Sequence, residues 1–304
     1  MIEVIDWQLS VVSKFQEKLP QEKYVTAFTC PAKYDDRGDW VNSYLTQVAD
    51  TVLTVSYDPI NIQLTIGNKV FGIQDFDGYT LPNGKVLVDA TSLALPEVVH
   101  LFRLLKHKKT PFDVIYVQPS GYNERKEKSL DRVVSFDLSD DGLGAQQLPP
   151  FVGFSSDASM CLFLGFEGHR VGSIIHSDEY NTNNATCLIG APAFQIGWEN
   201  QAFANNYKQI QELSKNMNAR LRFAGANDPI KTYETIDTIY TSLKYDKKGL
   251  CLAPFGTKPA AIAAAQFVVN NDGVILLYDF VQKKARRSSG TDLIHVWSFA
   301  HNLK

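Results

Sequence analysis

From residue 161 onward the chain repeats one pattern four times: a short apolar run, a turn built on glycine, then a helix-forming run. Residues 161–164 lead through Gly165, Phe166, Glu167, Gly168, His169 and Arg170 into the first helix. Residues 186–189 lead through Gly190, Ala191, Pro192 and a longer loop into a helix near 200–216. Residues 220–223 lead through Gly225, Asn227, Asp228 and Pro229 into 230–243. Residues 250–253 lead through Gly256, Thr257, Lys258 and Pro259 into 260–267. Strands that alternate with helices across short turns demand right-handed crossovers, and those give a mostly parallel sheet. The pattern predicts an α/β protein with a Rossmann-like C-terminal domain, in which 274–278 and 293–297 supply late strands.

In such a sheet every strand-to-helix turn falls on one rim, where open α/β folds place ligands. The last turn is the most telling. Gly256 permits a sharp bend and close backbone approach, and Pro259 suits the first helical turn. The unpaired N–H groups of that helix start, with Lys258 and the Thr257 hydroxyl, would form an anion site. Ala263, Ala264 and Ala265 let the helix lie close on the sheet. The plain alternative is a turn whose lysine is merely solvated. On the same rim, Gly165, Gly168, Arg170 and Asp228 are candidate ligand contacts, and Glu167 with His169 is a candidate acid–base pair. A surface carboxylate near a helix start, and an Asp228 N-cap with proline behind it, are the simpler readings. The turn at Gly165 is not the glycine fingerprint of dinucleotide enzymes, and neither a phosphate-binding lysine loop nor a nucleophile elbow occurs.

The N-terminal half reads differently. Residues 26–30 form a strand, 33–39 a charged loop, and 40–49 a helix. Asp35, Asp36 and Asp39 lack the ligand ladder of a calcium loop and read as a solvated acidic loop, so no metal is expected. Residues 51–57 are strand-like, and 61–66 with 69–73 form a hairpin. A βαβ unit follows, with strands at 85–88 and 112–117 and a helix at 93–107. Asp89, Thr91 and Ser92 at its first turn form an N-cap cluster that also stands where a ligand would meet the sheet edge. His100 and His107 have no carboxylate partner at helical spacing and read as structural. Residues 118–150 turn polar and linker-like, which places a domain boundary there: 1–150 an N-terminal α/β domain, 151–304 the Rossmann-like domain. The basic cluster of Lys283, Lys284, Arg286 and Arg287 joins the last two strands. It would fold over an anionic ligand or remain a solvated loop.

Composition sets outer limits. A chain of 304 residues, 44% hydrophobic, can bury one large core or two ordinary ones. A net charge of −3 argues against gripping duplex nucleic acid as the main task. No apolar run reaches about 18 residues, so no membrane span is expected. The start of the chain lacks a secretory pattern, so the expectation is a cytoplasmic protein. Cys30, Cys161, Cys187 and Cys251 show no metal spacing and suit reduced core thiols. No cofactor is implied.

The apolar strand, the Gly256-Thr257-Lys258-Pro259 turn and the small-residue helix together resemble the strand-four signature of CRISPR-associated Rossmann-fold (CARF) sensor domains, which bind cyclic oligonucleotides. The resemblance covers 156–300 loosely and is specific only at that turn. Pro254 and Phe255 stand where the family often has further threonine or glycine, and Ala260 replaces a frequent methionine. The resemblance implies that Thr257 and Lys258 contact the ligand, with Gly165 to Arg170 as the opposite wall. It also implies a homo-oligomer and a place in prokaryotic antiviral defence. The function expected is recognition of a nucleotide or other phosphorylated small molecule by a sensor protein. The alternatives are a hydrolase or transferase acting on a nucleotide or sugar phosphate, and an interaction subunit that binds a partner protein.

Overall fold

In the computed structural model the chain is described over residues 6–12, 19, 22–32, 34–123, 136, 138–215 and 220–300. It divides into two units, Met1–Tyr122 with Ala285–Lys304, and Asn123–Lys284. Residue 150, where composition suggests a boundary, lies within the second.

The first unit begins with β1 (Asp6–Val12), β2 (Thr26–Thr29), α1 (Asp36–Val48) and β3 (Val52–Asp58). The hairpin of β4 (Gln63–Ile66) and β5 (Lys69–Gly72) follows. Then come β6 (Val86–Asp89), α2 (Leu95–His107), β7 (Phe112–Val117) and the short β8 (Gly121–Tyr122). The second unit holds β9 (Ser139–Gln147), β10 (Ala158–Leu164), α3 (Gly168–Ile175), β11 (Thr186–Gly190), α4 (Trp198–Asn205), α5 (Tyr207–Ser214) and β12 (Arg220–Ala224). It ends with α6 (Pro229–Tyr245), β13 (Gly249–Pro254), α7 (Lys258–Asn270) and β14 (Ile275–Lys283). The chain then returns to the first unit as β15 (Ser288–Ser289) and β16 (Ile294–Ala300).

The first sheet runs β1-β16-β7-β6-β2-β3-β4-β5. Its centre, β7-β6-β2-β3, is parallel, while β1 and β16 at one side and β4 and β5 at the other are antiparallel. β2, β6 and β7 are buried along their whole length, as parallel strands covered on both faces must be. The expected hairpin and βαβ unit are both present. Residues 293–297 differ from expectation: β16 lies between β1 and β7 instead of extending the second sheet. Periodicity identifies a strand, and backbone pairing across the whole chain decides which sheet receives it. The acidic loop at 35–39 also differs. Asp35 is enclosed, caps α1 through the Arg37 amide, and holds the buried Arg37 guanidinium at 2.7 Å. His100 is fully buried and stacks on Tyr57 with ring centroids 5.5 Å apart.

The second sheet runs β12-β11-β10-β13-β14-β9, with all neighbours parallel except β14 and β9. Counted along the chain, the five parallel strands have the Rossmann order 3-2-1-4-5, so the order reverses between β10 and β13. The expected Rossmann-like sheet is therefore present. α7 is buried from Pro259 through Val269, as a helix apolar on every side has to be. α6 lies beside it with Thr232, Ile236 and Tyr240 inward at helical spacing, and Tyr233 and Tyr240 meet Phe267 edge-on at 5.2 and 5.4 Å. Cys161, Cys187 and Cys251 are free thiols within the strands. Burial pushes Cys187 and Cys251 up to about 12, which leaves them protonated and inert.

The stretch that reads as a linker, 139–150, is largely strand β9. It pairs with β14 across a bulge between Phe280 and Gln282. A Cβ at Gly142 would lie 1.8 Å from the Phe280 carbonyl oxygen, and Gly144 has φ +76°. The glycines that suggest a linker are thus the requirement of a bulged edge strand. The charged residues 124–128 lie outside the described residues.

Candidate functional site

Four βα turns of the second unit share its carboxyl rim, and glycine decides how tightly they meet. A Cβ at Gly165 would stand 2.5 Å from the Phe255 carbonyl oxygen and 3.3 Å from the Gly256 Cα. The turns after β10 and β13 therefore touch through their backbones at the point where strand order reverses. A Cβ at Gly168 would stand 2.1 Å from the Asn205 carbonyl oxygen, so the start of α3 seats equally closely on the end of α4. Asn206 locks this arrangement: its buried amide donates to the Gly165 carbonyl at 2.6 Å and to that of Ala202 at 2.7 Å. It also interrupts the helix, with φ −108° and ψ 8°, so the single helix expected over 200–216 is two.

The polar residues of the first turn are held by the protein itself. Glu167 occupies the N-cap position of α3 and accepts a hydrogen bond from the Ser139 hydroxyl at 2.7 Å. Its other oxygen lies 3.6 Å from the Arg170 guanidinium, whose Nε donates to Asp279 at 2.7 Å. That guanidinium also lies over the Phe255 ring, 5.0 Å from its centroid. Arg170 is thus a largely enclosed cation between two carboxylates, and such a cation serves the fold before it serves a ligand.

The turn after β13 is committed in a similar way. The Thr257 hydroxyl donates to the Ala226 carbonyl at 2.6 Å, which ties this turn to the loop before α6. Asp228 caps α6 by accepting from the Lys231 amide at 2.9 Å. The space bordered by Gly225, Gly256 and Thr257 is about 10 Å³, room for about one water. Lys258 is the first residue of α7 and is half-buried.

An open cleft lies beside Gly168. Its volume is about 380 Å³, and it is lined by Ser139, Asp140, Asp141, Glu167, His169 and Lys284. Phe136 and Phe166 stack at its side, centroids 4.2 Å apart, and Phe166 meets Trp198 edge-on at 5.8 Å. Lys284 pairs with Asp140 at 3.0 Å, and His169 is exposed. Among the described residues no three histidine, cysteine or carboxylate side chains are grouped to hold a metal.

The rim therefore brings Glu167, Gly168 and His169 to the cleft, holds Arg170 beside Glu167, and sets Gly256 against Gly165. Asp89, Thr91 and Ser92 belong to the first unit. Asp89 is wholly enclosed and accepts from the Thr91 and Ser92 amides at 2.9 and 3.2 Å and from the Thr29 hydroxyl at 2.7 Å. Burial raises its carboxyl above the usual range. The Thr91 hydroxyl accepts from the Val117 amide at 3.0 Å. The cluster thus fastens the ends of β2, β6 and β7. It does not cap α2, whose N-cap position is held by Ala94. Sequence reasoning missed Ser139, Asp140 and Asp141, which sit in the linker-like stretch, and Asp279. A single aspartate inside the apolar run 274–280 is the signal that would have found Asp279.

No protein-family model matches the chain, and no curated protein matches it. Among solved structures it is similar to a Type III CRISPR defence DNA nuclease activated by cyclic oligoadenylate, with 9% identity and a TM-score of 0.46, over 85% of this chain and 67% of that one. At that score the likeness does not bear on what this chain binds. Among the described residues no helix is long and apolar enough to cross a membrane.

Proposed function

We propose that the second unit binds a nucleotide at the carboxyl rim of its sheet, in the cleft beside Glu167 and Phe166. The observation that carries this reading is the cleft itself, a space of about 380 Å³ opening from the first βα turn of a 3-2-1-4-5 sheet. That volume falls within the range of small-molecule sites. Its chemistry also suits a nucleotide. Phe136 and Phe166 offer a stacking surface for a base. Asp141 and Glu167 offer acceptors for ribose hydroxyls. Lys284 and His169 offer positive or donor groups for phosphate. Lys258, half-buried at the start of α7, does not line this cleft and is not a ligand contact in this reading.

The charge balance narrows the class. Three carboxylates line the cleft against one lysine and one histidine. A monophosphate or a bridging phosphodiester fits such a lining better than a triphosphate, whose charge would meet like charge. Glu167 is held by Ser139 and faces Arg170, so we assign it to binding instead of proton transfer. A role in antiviral defence rests on the likeness of the Gly256–Pro259 turn to CARF domains alone.

A thermal-shift series tests the proposal on the full chain with AMP, ATP, cyclic dinucleotides and cyclic oligoadenylates. Saturation at about 100 times Kd adds roughly 2.7 kcal/mol. The expected result is stabilisation by a mono- or diester phosphate that is lost in Lys284→Ala. No shift with any compound overturns the nucleotide reading. Turnover of a bound compound that Glu167→Gln abolishes without loss of binding favours the hydrolase or transferase alternative.

A further inference from the structure

The two outer strands of the second sheet are finished differently. β9 is bulged, carries Gly144 at positive φ and is acidic, which are devices that discourage a further strand from pairing. β12 has none of them. It is a regular five-residue strand, exposed at Arg220, Leu221, Arg222 and Phe223, and its register with β11 shows no break.

Its hydrogen bonding leaves a defined edge. The Arg220 amide donates to the Ala185 carbonyl, and the Ala191 amide donates to the Ala224 carbonyl. The even-numbered residues of β12 therefore spend their backbone groups on β11, while those of Leu221 and Phe223 point away from the sheet. The side chains are sorted as well. Leu221 and Phe223 stand opposite Cys187 and Ile189, whose core includes residues of α3 and α5, so they belong to that face. Phe223 is 57% exposed there. Arg220 and Arg222 occupy the other face, and neither has an ion-pair or hydrogen-bond partner among the described residues.

We propose that β12 is a docking edge for an extended segment of a partner protein in which apolar and acidic residues alternate. Such a segment would pair with the outward N–H and C=O groups of Leu221 and Phe223, lay its apolar residues beside those two side chains, and set its carboxylates against Arg220 and Arg222. Charge decides between a foreign segment and a second copy. Antiparallel pairing of β12 with itself about its centre sets Arg222 directly opposite Arg222, a like-charge cross-strand pair that is destabilising. An acidic partner turns the same two arginines into attraction.

The test is fluorescence anisotropy of the full chain with a dye-labelled peptide of alternating valine and glutamate, beside a valine–lysine peptide of equal length. The glutamate peptide is expected to bind saturably and at least about tenfold tighter than the lysine peptide, and to weaken in high salt. Arg222→Glu, an exposed change that leaves the core untouched, is expected to reverse the preference. Leu221→Pro removes one outward N–H without taking a bond from β11, and is expected to weaken binding while the far-ultraviolet spectrum stays unchanged. Absence of saturable binding, or equal binding by Arg222→Glu, overturns the proposal. A dimer seen by light scattering that Arg222→Glu dissolves also overturns it, because the occupant would then be a second copy.

Discussion

Gly165 stands so close to Phe255 that a methyl group in its place would lie 2.5 Å from the Phe255 carbonyl oxygen. This contact fills the point where strand order reverses, the place an open α/β sheet ordinarily leaves for its ligand. The candidate cleft lies instead beside Gly168. Gly165→Ala is accordingly expected to cost about 1–3 kcal/mol, the usual range for overpacking a fitted site. Gly78→Ala, where a Cβ meets nothing within 4 Å, is expected to be silent. Denaturant midpoints of the two variants check the pair.

Asp279 and Arg170 form an enclosed pair at 2.7 Å. Removing the carboxylate leaves the enclosed guanidinium with the more distant Glu167 oxygen at 3.6 Å, so Asp279→Ala is expected to destabilise by about 1–3 kcal/mol. Replacing both residues together, as Arg170→Met with Asp279→Leu, is expected to recover most of that loss. A double-mutant cycle by thermal unfolding gives the coupling, and a double variant no better than the single one would contradict it.

Much of the second sheet can be read from the chain because each strand, turn and helix is local. The four glycine turns lie where the pattern puts them, and α7 begins at Lys258 with Pro259 in its first turn. What cannot be read depends on contacts distant in sequence. β9 looks like a linker because its glycines and aspartates answer to the backbone of β14, more than 130 residues on. β16 carries an ordinary strand pattern, and nothing local says that it pairs with β7. The candidate site divides in the same way. Glu167, Gly168 and His169 announce themselves by following a strand, while Ser139, Asp140 and Asp141 reach them only through the pairing of β9.

In the first unit, Asp89 joins two strand ends through the Thr29 hydroxyl and two amides. Asp89→Ala is expected to cost about 2–3 kcal/mol by leaving buried donors unpaired. Asp89→Asn keeps an acceptor for the amides and is expected to cost less. Thermal unfolding orders wild type, Asn and Ala in that sequence if the role is structural.

Burial, with the nearby Arg103 cation, pushes His100 down to about 3, and burial pushes His295 down to about 4. Both are neutral in the folded chain, whereas an unfolded histidine takes up a proton below about 6.5. Their contribution to stability is complete above that value and is lost as the pH falls through about 4 for His295 and about 3 for His100. For His100 alone the loss is on the order of 2 kcal/mol by pH 5. A pH series of unfolding midpoints is expected to show this acid limb, and His100→Leu is expected to flatten it.

Isothermal titration calorimetry of the full chain with AMP, ADP, ATP and a 3′,5′-linked adenylate dinucleotide tests the central claim most directly. Saturable binding is expected for AMP or the dinucleotide and weaker binding for ATP. Lys284→Ala is expected to reduce affinity by about tenfold, the loss of one charged phosphate contact. Lys258→Ala, outside the cleft lining, is expected to change it little. Binding that ranks ATP first and ignores Lys284→Ala, or no binding heat with any of the four, would contradict a nucleotide site at this rim.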